Sequence, residues 1–185
     1  MNTKKQYIKI ILIILIFFLD FSAYANQSSA QNINRLIDLI NQRLSLIKEV
    51  AAQKSEHINE IYAPEREQVV LVHTKNLARR YDLSVPKLLV YSQIMMDTAK
   101  QLEYYNINQW KKANDLPHIK NNNLKEIRLK LLAIDKEIFF TINKLSKYKN
   151  IRVQLSQDFN KQVYIPESLN LYKQMLLEVI LSILA

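Results

Sequence analysis

Apolar residues recur along most of this chain at steps of three, four and seven. From Asn32 onward the stripe runs Ile33, Leu36, Ile40, Leu44, Ile47, Ala51, Ile58 and Ile61. That is the period of an α-helix with one buried face, and it predicts a first helix of about 30 residues ending near Tyr62. Pro64 sets the boundary, because a proline disfavours helix in the residue before it. A second helix is expected from Pro64 or Glu65, with Val69, Val70, Leu77 and Tyr81 inward. Asp82-Leu83-Ser84 breaks it, and Ser84 is a natural N-cap for a third. That third helix, Val85 to about Lys112, is apolar on most faces (Leu88, Leu89, Val90, Ile94, Met95, Met96, Leu102), as befits the middle of a bundle. Asn114 to Asn123 is a loop, with Asn123 a candidate N-cap. A fourth helix carries Leu124, Ile127, Leu131, Ile134 and Ile138 inward and ends near Tyr148. A short helix around Val153 to Asn160 and a last one from Pro166 to Leu184 follow. Leu176 to Leu184 is expected to cover core or a dimer interface. Strand-like alternation is missing, so the expected fold is all-α: a bundle of about six helices, one of them long, with no second domain.

The first 25 residues follow another pattern. Lys4, Lys5 and Lys9 precede an apolar run from Ile10 to Leu19, and Ala23 and Ala25 then lie two apart. A basic start, a short apolar stretch and an A-x-A site describe a secretory signal peptide, cut after Ala25. An uncleaved membrane anchor is the alternative. Residues 26–185 are then the mature domain, periplasmic or secreted and free of the membrane. Asn26 to Gln31 is expected to be a disordered lead-in.

Composition narrows the chemistry. The 185 residues include no glycine and no cysteine. A chain of this length would ordinarily hold roughly 13 glycines. Glycine-rich phosphate loops, dinucleotide fingerprints and G-x-S-x-G elbows are therefore excluded, as are disulfides and thiolate metal sites. His57, His73 and His118 show no metal-ligand spacing and are expected at the surface or as caps. The ten tyrosines read as residues at the core edge with a wet hydroxyl, and Met95-Met96 as core filler. The net charge is +9, of which the leader removes two. Scattered lysines without a dense basic block do not suggest nucleic acid. They fit a solvated basic surface or a small anionic partner.

The informative charges lie on apolar stripes. Arg43 is three residues after Ile40 and four before Ile47. Lys54 follows eleven residues later, which is about 20° of net rotation and roughly 16 Å of rise. Both therefore point the same way from one helix. Arg66 sits four before Val70 with Glu67 beside it, Glu103 is four after Ala99, and Arg128 adjoins Ile127. Each alone reads as a flank residue whose long side chain reaches water. Together, on four helices, they outline a positive pocket suited to a small dicarboxylate, which arginine grips bidentately.

The register Arg43-x10-Lys54-x11-Arg66-Glu67, the segment Met96-Asp97-Thr98-Ala99-Lys100-Gln101-Leu102-Glu103, and Arg128 resemble the all-helical chorismate mutases, in particular their secreted subclass. The likeness covers about Asn32 to Ile134. Trp110, seven after Glu103, and the loop before Arg128 also look like the secreted members. The resemblance implies rearrangement of chorismate to prephenate without metal, cofactor or covalent intermediate, in a site within one chain of a homodimer. It implies that Arg43 and Arg128 bind the two carboxylates, with Arg66 supporting them. Lys54 and Glu103 would donate to the ether oxygen, and Glu67 would accept from the ring hydroxyl. A glutamate donates only when protonated, so a raised Glu103 pKa is expected. Two positions depart from the pattern. Ala99 stands where relatives often carry a hydroxyl near a substrate carboxylate, with Thr98 about 100° away around the helix. Ala63 stands where some carry an acid. The disulfide of some secreted relatives cannot form here. A rival reading is a periplasmic helical binding or adaptor protein that keeps the fold without catalysis.

Overall fold

A computed structural model describes the backbone of residues 2–55, 61–115, 117 and 124–185, and side chains from residue 27 onward. Six α-helices follow in order among them: α1 Asn2–Lys54, α2 Pro64–Arg80, α3 Val85–Ala113, α4 Leu124–Leu145, α5 Arg152–Gln162 and α6 Asn170–Ile183. A 3₁₀ turn, Glu167–Leu169, precedes α6. His57, Ile58, His118 and Asn123 lie outside the described residues.

The ends of α1 differ from the expectation. Residues 27–31 are helical, with Ser29 buried. The Ser28 hydroxyl lies 2.8 Å from the Tyr148 hydroxyl beyond the end of α4, and Asn32 donates back to the Ser28 carbonyl at 2.9 Å. Nothing in Gln-Ser-Ser-Ala-Gln breaks a helix, and these contacts give the segment partners. At the other end α1 stops at Lys54, well before Tyr62. Ser55 closes it, its amide and hydroxyl both donating to the Ala52 carbonyl at 3.3 and 2.8 Å. Such local bonds let serine compete with helix continuation. Ile61 is buried, as its place on the stripe suggests, but it is not part of α1.

Later corners show how a chain without glycine turns. Asp82, Asn114 and Asn150 take positive φ, between 51° and 62°. Asp and Asn tolerate that region better than other residues with a Cβ. Asn114 closes α3 from this conformation. Ser84 occupies the N-cap of α3, but its side chain makes no capping bond. Pro64 and Pro86 fall in the first turns of α2 and α3, where a missing N–H costs nothing.

α3 is central, packed on α1, α2 and α6, while α4 lies along α1. Val69 and Val90, placed inward by pattern alone, are about half exposed. Most of the remaining stripe residues converge on one core with Ile40, Leu88, Ile138 and Phe139, while Ala51 and Ile61 form a smaller cluster with Ile107. α6 joins it through Leu176, Leu177 and Ile180, so the C-terminal helix covers core. Tyr91 does not sit at the core edge: it is buried, edge-on to Phe139 at 5.7 Å, and its hydroxyl has no hydrogen-bond partner. α5 is anchored by Leu155 and Phe159, both fully buried. Phe159→Ala removes a ring the bundle cannot refill, and is expected to cost about 3–5 kcal/mol of stability in urea unfolding.

Candidate functional site

Four helices open onto one cavity. α1 contributes Arg43, Ile47, Val50 and Lys54, and α2 contributes Arg66, Glu67 and Val70. α3 adds Met96, Ala99, Lys100 and Glu103, and α4 adds Arg128, Leu131 and Asp135. All seven positions singled out from sequence line it. Arg43 and Lys54 face it together because three helical turns separate them. Asp135 follows Arg128 by two turns, a spacing that returns it to the same face of α4.

Five cations (Arg43, Lys54, Arg66, Lys100, Arg128) face three carboxylates (Glu67, Glu103, Asp135), leaving two positive charges in excess. Each carboxylate is engaged by a cation. Arg43 Nε donates to Asp135 Oδ1 at 2.6 Å, with both residues buried. Lys54 Nζ donates to Glu103 Oε2 at 2.9 Å, also buried. Lys100 Nζ donates to Glu67 Oε1 at 3.1 Å and lies 2.8 Å from Asp97 Oδ1. Arg66 and Arg128 have no carboxylate partner among the described residues. Arg66 Nη2 donates instead to the Arg128 carbonyl at 3.3 Å.

The titration of these groups follows from that arrangement. Burial lowers the pKa of Arg66 and repulsion from Arg128 lowers it further; Asp135 pulls the other way, and Arg43 adds a smaller repulsion. An anion between the arginines would relieve that repulsion. Burial works against the charge of Arg43 too, but Asp135 outweighs it by charge and hydrogen bond, and the pKa rises. For Lys100, burial is likewise overcome, by Asp97 and Glu67. Glu103 moves the other way. Burial raises its pKa, and the opposing pulls of Lys54, Arg128 and Lys100 do not cancel that rise. Its carboxyl thus holds a proton more readily than a free glutamate.

Three details qualify the sequence reading. Thr98 is fully buried, donates to the Ile94 carbonyl at 2.7 Å and does not line the cavity, so it does not supply the hydroxyl that Ala99 lacks. Met96 serves both core and cavity wall. His73 is neither a surface residue nor a cap: it is half-buried, and its Nε2 is buried without a hydrogen-bond partner. Sequence reasoning gave no role to Asp135 or Lys100. Their signals were the seven-residue step from Arg128 and the three-residue step to Glu103.

Comparison with known proteins agrees with this geometry. Residues 31–104, which hold Arg43, Lys54, Arg66, Glu67 and Glu103, match the family model for chorismate mutase type II. A monofunctional chorismate mutase from Enterobacter agglomerans is 25% identical over 126 residues, covering 68% of this chain and 69% of that protein. The fold is shared with crystal structures of chorismate mutase from two Burkholderia species. For Burkholderia thailandensis the TM-score is 0.63 at 20% identity, over 83% of this chain and 99% of the other. For Burkholderia phymatum it is 0.64 at 19% identity, over 85% and 98%. The chain is thus similar to chorismate mutase type II over residues 31–104 and shares its fold with the two crystal structures.

Proposed function

We propose that this protein is a chorismate mutase, converting the dianion chorismate to prephenate by a pericyclic rearrangement within a single chain. One observation carries the reading: the cavity holds two positive charges in excess, on arginines without carboxylate partners among the described residues, directly beside a buried lysine–glutamate pair. Arg66 and Arg128, with Arg43, match a ligand bearing two carboxylates. Holding the compact conformer in a fixed cavity lowers the barrier by orientation. In the transition state the breaking C–O bond leaves negative charge on the ether oxygen. Lys54, and Glu103 when protonated, are neighbouring donors for that oxygen, aimed where charge develops. Glu67, held by Lys100, accepts from the ring hydroxyl. The alanines at 63 and 99 remove two polar contacts, so KM is expected to be high while the reaction type is kept.

The leader and the secreted subclass belong to the same proposal. Supporting them are the basic start, the Ile10–Leu19 run and the Ala23-x-Ala25 site. The cut after Ala25 rests on that small-residue site, and the homodimer on the likeness to secreted members. The test of the activity is direct: chorismate absorbance is followed with purified protein, and the product is identified as prephenate. Steady loss of chorismate is the expected result. An unchanged spectrum alongside a folded circular dichroism signal favours the binding-protein reading.

A further inference from the structure

We propose that Asp135 is a positioning residue that fixes Arg43 for its anionic ligand. The inference rests on the function proposed above. An arginine offers five N–H donors in a planar fork. Asp135 Oδ1 takes the one on Nε, at 2.6 Å. Arg43 is only 4% exposed, yet its Nη1 is buried without a hydrogen-bond partner among the described residues. A pair built for stability alone would leave no such donor, because a buried orphan is expensive. The arrangement has a different logic. The carboxylate on α4 grips the guanidinium by its Nε edge, which leaves Nη1 unspent for a carboxylate entering the cavity that both residues line. The Tyr91 hydroxyl is close enough to feel both charges but bonds to neither. Tyr91 therefore does not compete with a ligand for Arg43. Arg66 and Arg128 have no such holder. Of the three arginines, Arg43 alone is oriented by a carboxylate among the described residues, whereas Arg66 has only the Arg128 carbonyl at 3.3 Å.

Variants of differing chemistry test this. Asp135→Leu keeps the bulk and removes the acceptor. Asp135→Asn keeps an acceptor and removes the charge. With chorismate as substrate, Asp135→Leu is expected to lower kcat/KM by roughly 30- to 100-fold, the scale of a misplaced binding group. Asp135→Asn is expected to recover most of that loss. In an Arg43→Ala background, Asp135→Leu should have no further effect, because it acts through Arg43. Equal losses in both backgrounds, or an Asp135→Leu enzyme with unchanged kcat and KM, would overturn the proposal. A second readout needs no turnover: the thermal shift of the protein in succinate, a simple dicarboxylate. The wild type should rise, Asp135→Leu should rise less than half as much, and Asp135→Asn should match the wild type. A shift without turnover removes the chorismate mutase reading and leaves the role of Asp135 standing. No shift in the wild type overturns the anion site, and this role with it.

Discussion

Lys54→Ala is expected to lower kcat by about 10²–10³-fold, the usual cost of deleting one preorganised donor at a developing oxyanion. The loss should fall on kcat more than on KM. The lysine faces charge that appears only as the C–O bond breaks, whereas the carboxylates are left to the arginines. The fold should survive. Removing the lysine strips Glu103 of its 2.9 Å partner at a site only 4% exposed. A charged carboxylate there would be costly, but Glu103 already leans toward its neutral form and can escape by taking up a proton. Chorismate kinetics beside circular dichroism of the same variant check both halves. A Lys54→Ala enzyme within threefold of wild type would remove the lysine from the chemistry.

The second large effect is on the pH profile. Burial raises the Glu103 pKa above the ordinary glutamate value despite the opposing lysine. A donor role needs the protonated form, so kcat should be high at acidic pH and fall as pH climbs through the raised pKa. Glu103→Gln carries an N–H donor at every pH and should flatten that fall, surpassing the wild type on the alkaline side. Stability follows the same proton. Between the unfolded and folded pKa values the native state binds more of it than the unfolded chain. The contribution of this group is therefore fully present below the unfolded value and is lost as pH rises through the folded one. That is the reverse of a salt-bridged surface acid, and urea midpoints of wild type and Glu103→Gln across the same range measure it. A wild-type rate that stays level from acid to alkali would exclude the protonated donor.

Much of this site was legible before any coordinates because helices convert spacing into direction. Arg43 and Lys54 needed only 3.6 residues per turn, and Arg66, Glu103 and Arg128 each lay on or beside an apolar stripe, with Glu67 next to Arg66. What escaped had a physical reason. Asp135 stands between Ile134 and Lys136 and looks like ordinary surface until Arg43 is known to come from across the bundle. Lys100 is hidden similarly, since its pairing with Glu67 joins residues 33 positions apart on different helices. The end of α1 was missed because Ser55 and the residues after it are all compatible with a helix. Only the actual turn, with its bonds back to Ala52, distinguishes stopping from continuing. The helical lead-in was missed because its anchor, Tyr148, is distant in sequence.

The shared helix of Arg43 and Lys54 also limits how such a protein can change over generations. One residue inserted between them would swing one cation about 100° around α1 and move it 1.5 Å along the axis. The pair would then face different neighbours, however well the helix itself formed. Gains and losses of length are consequently steered to the connections between helices, where α2, α3 and α4 can be re-spaced while their registers stay intact. Within residues 43–54, substitution is the only change that leaves the distance between the two cations unaltered.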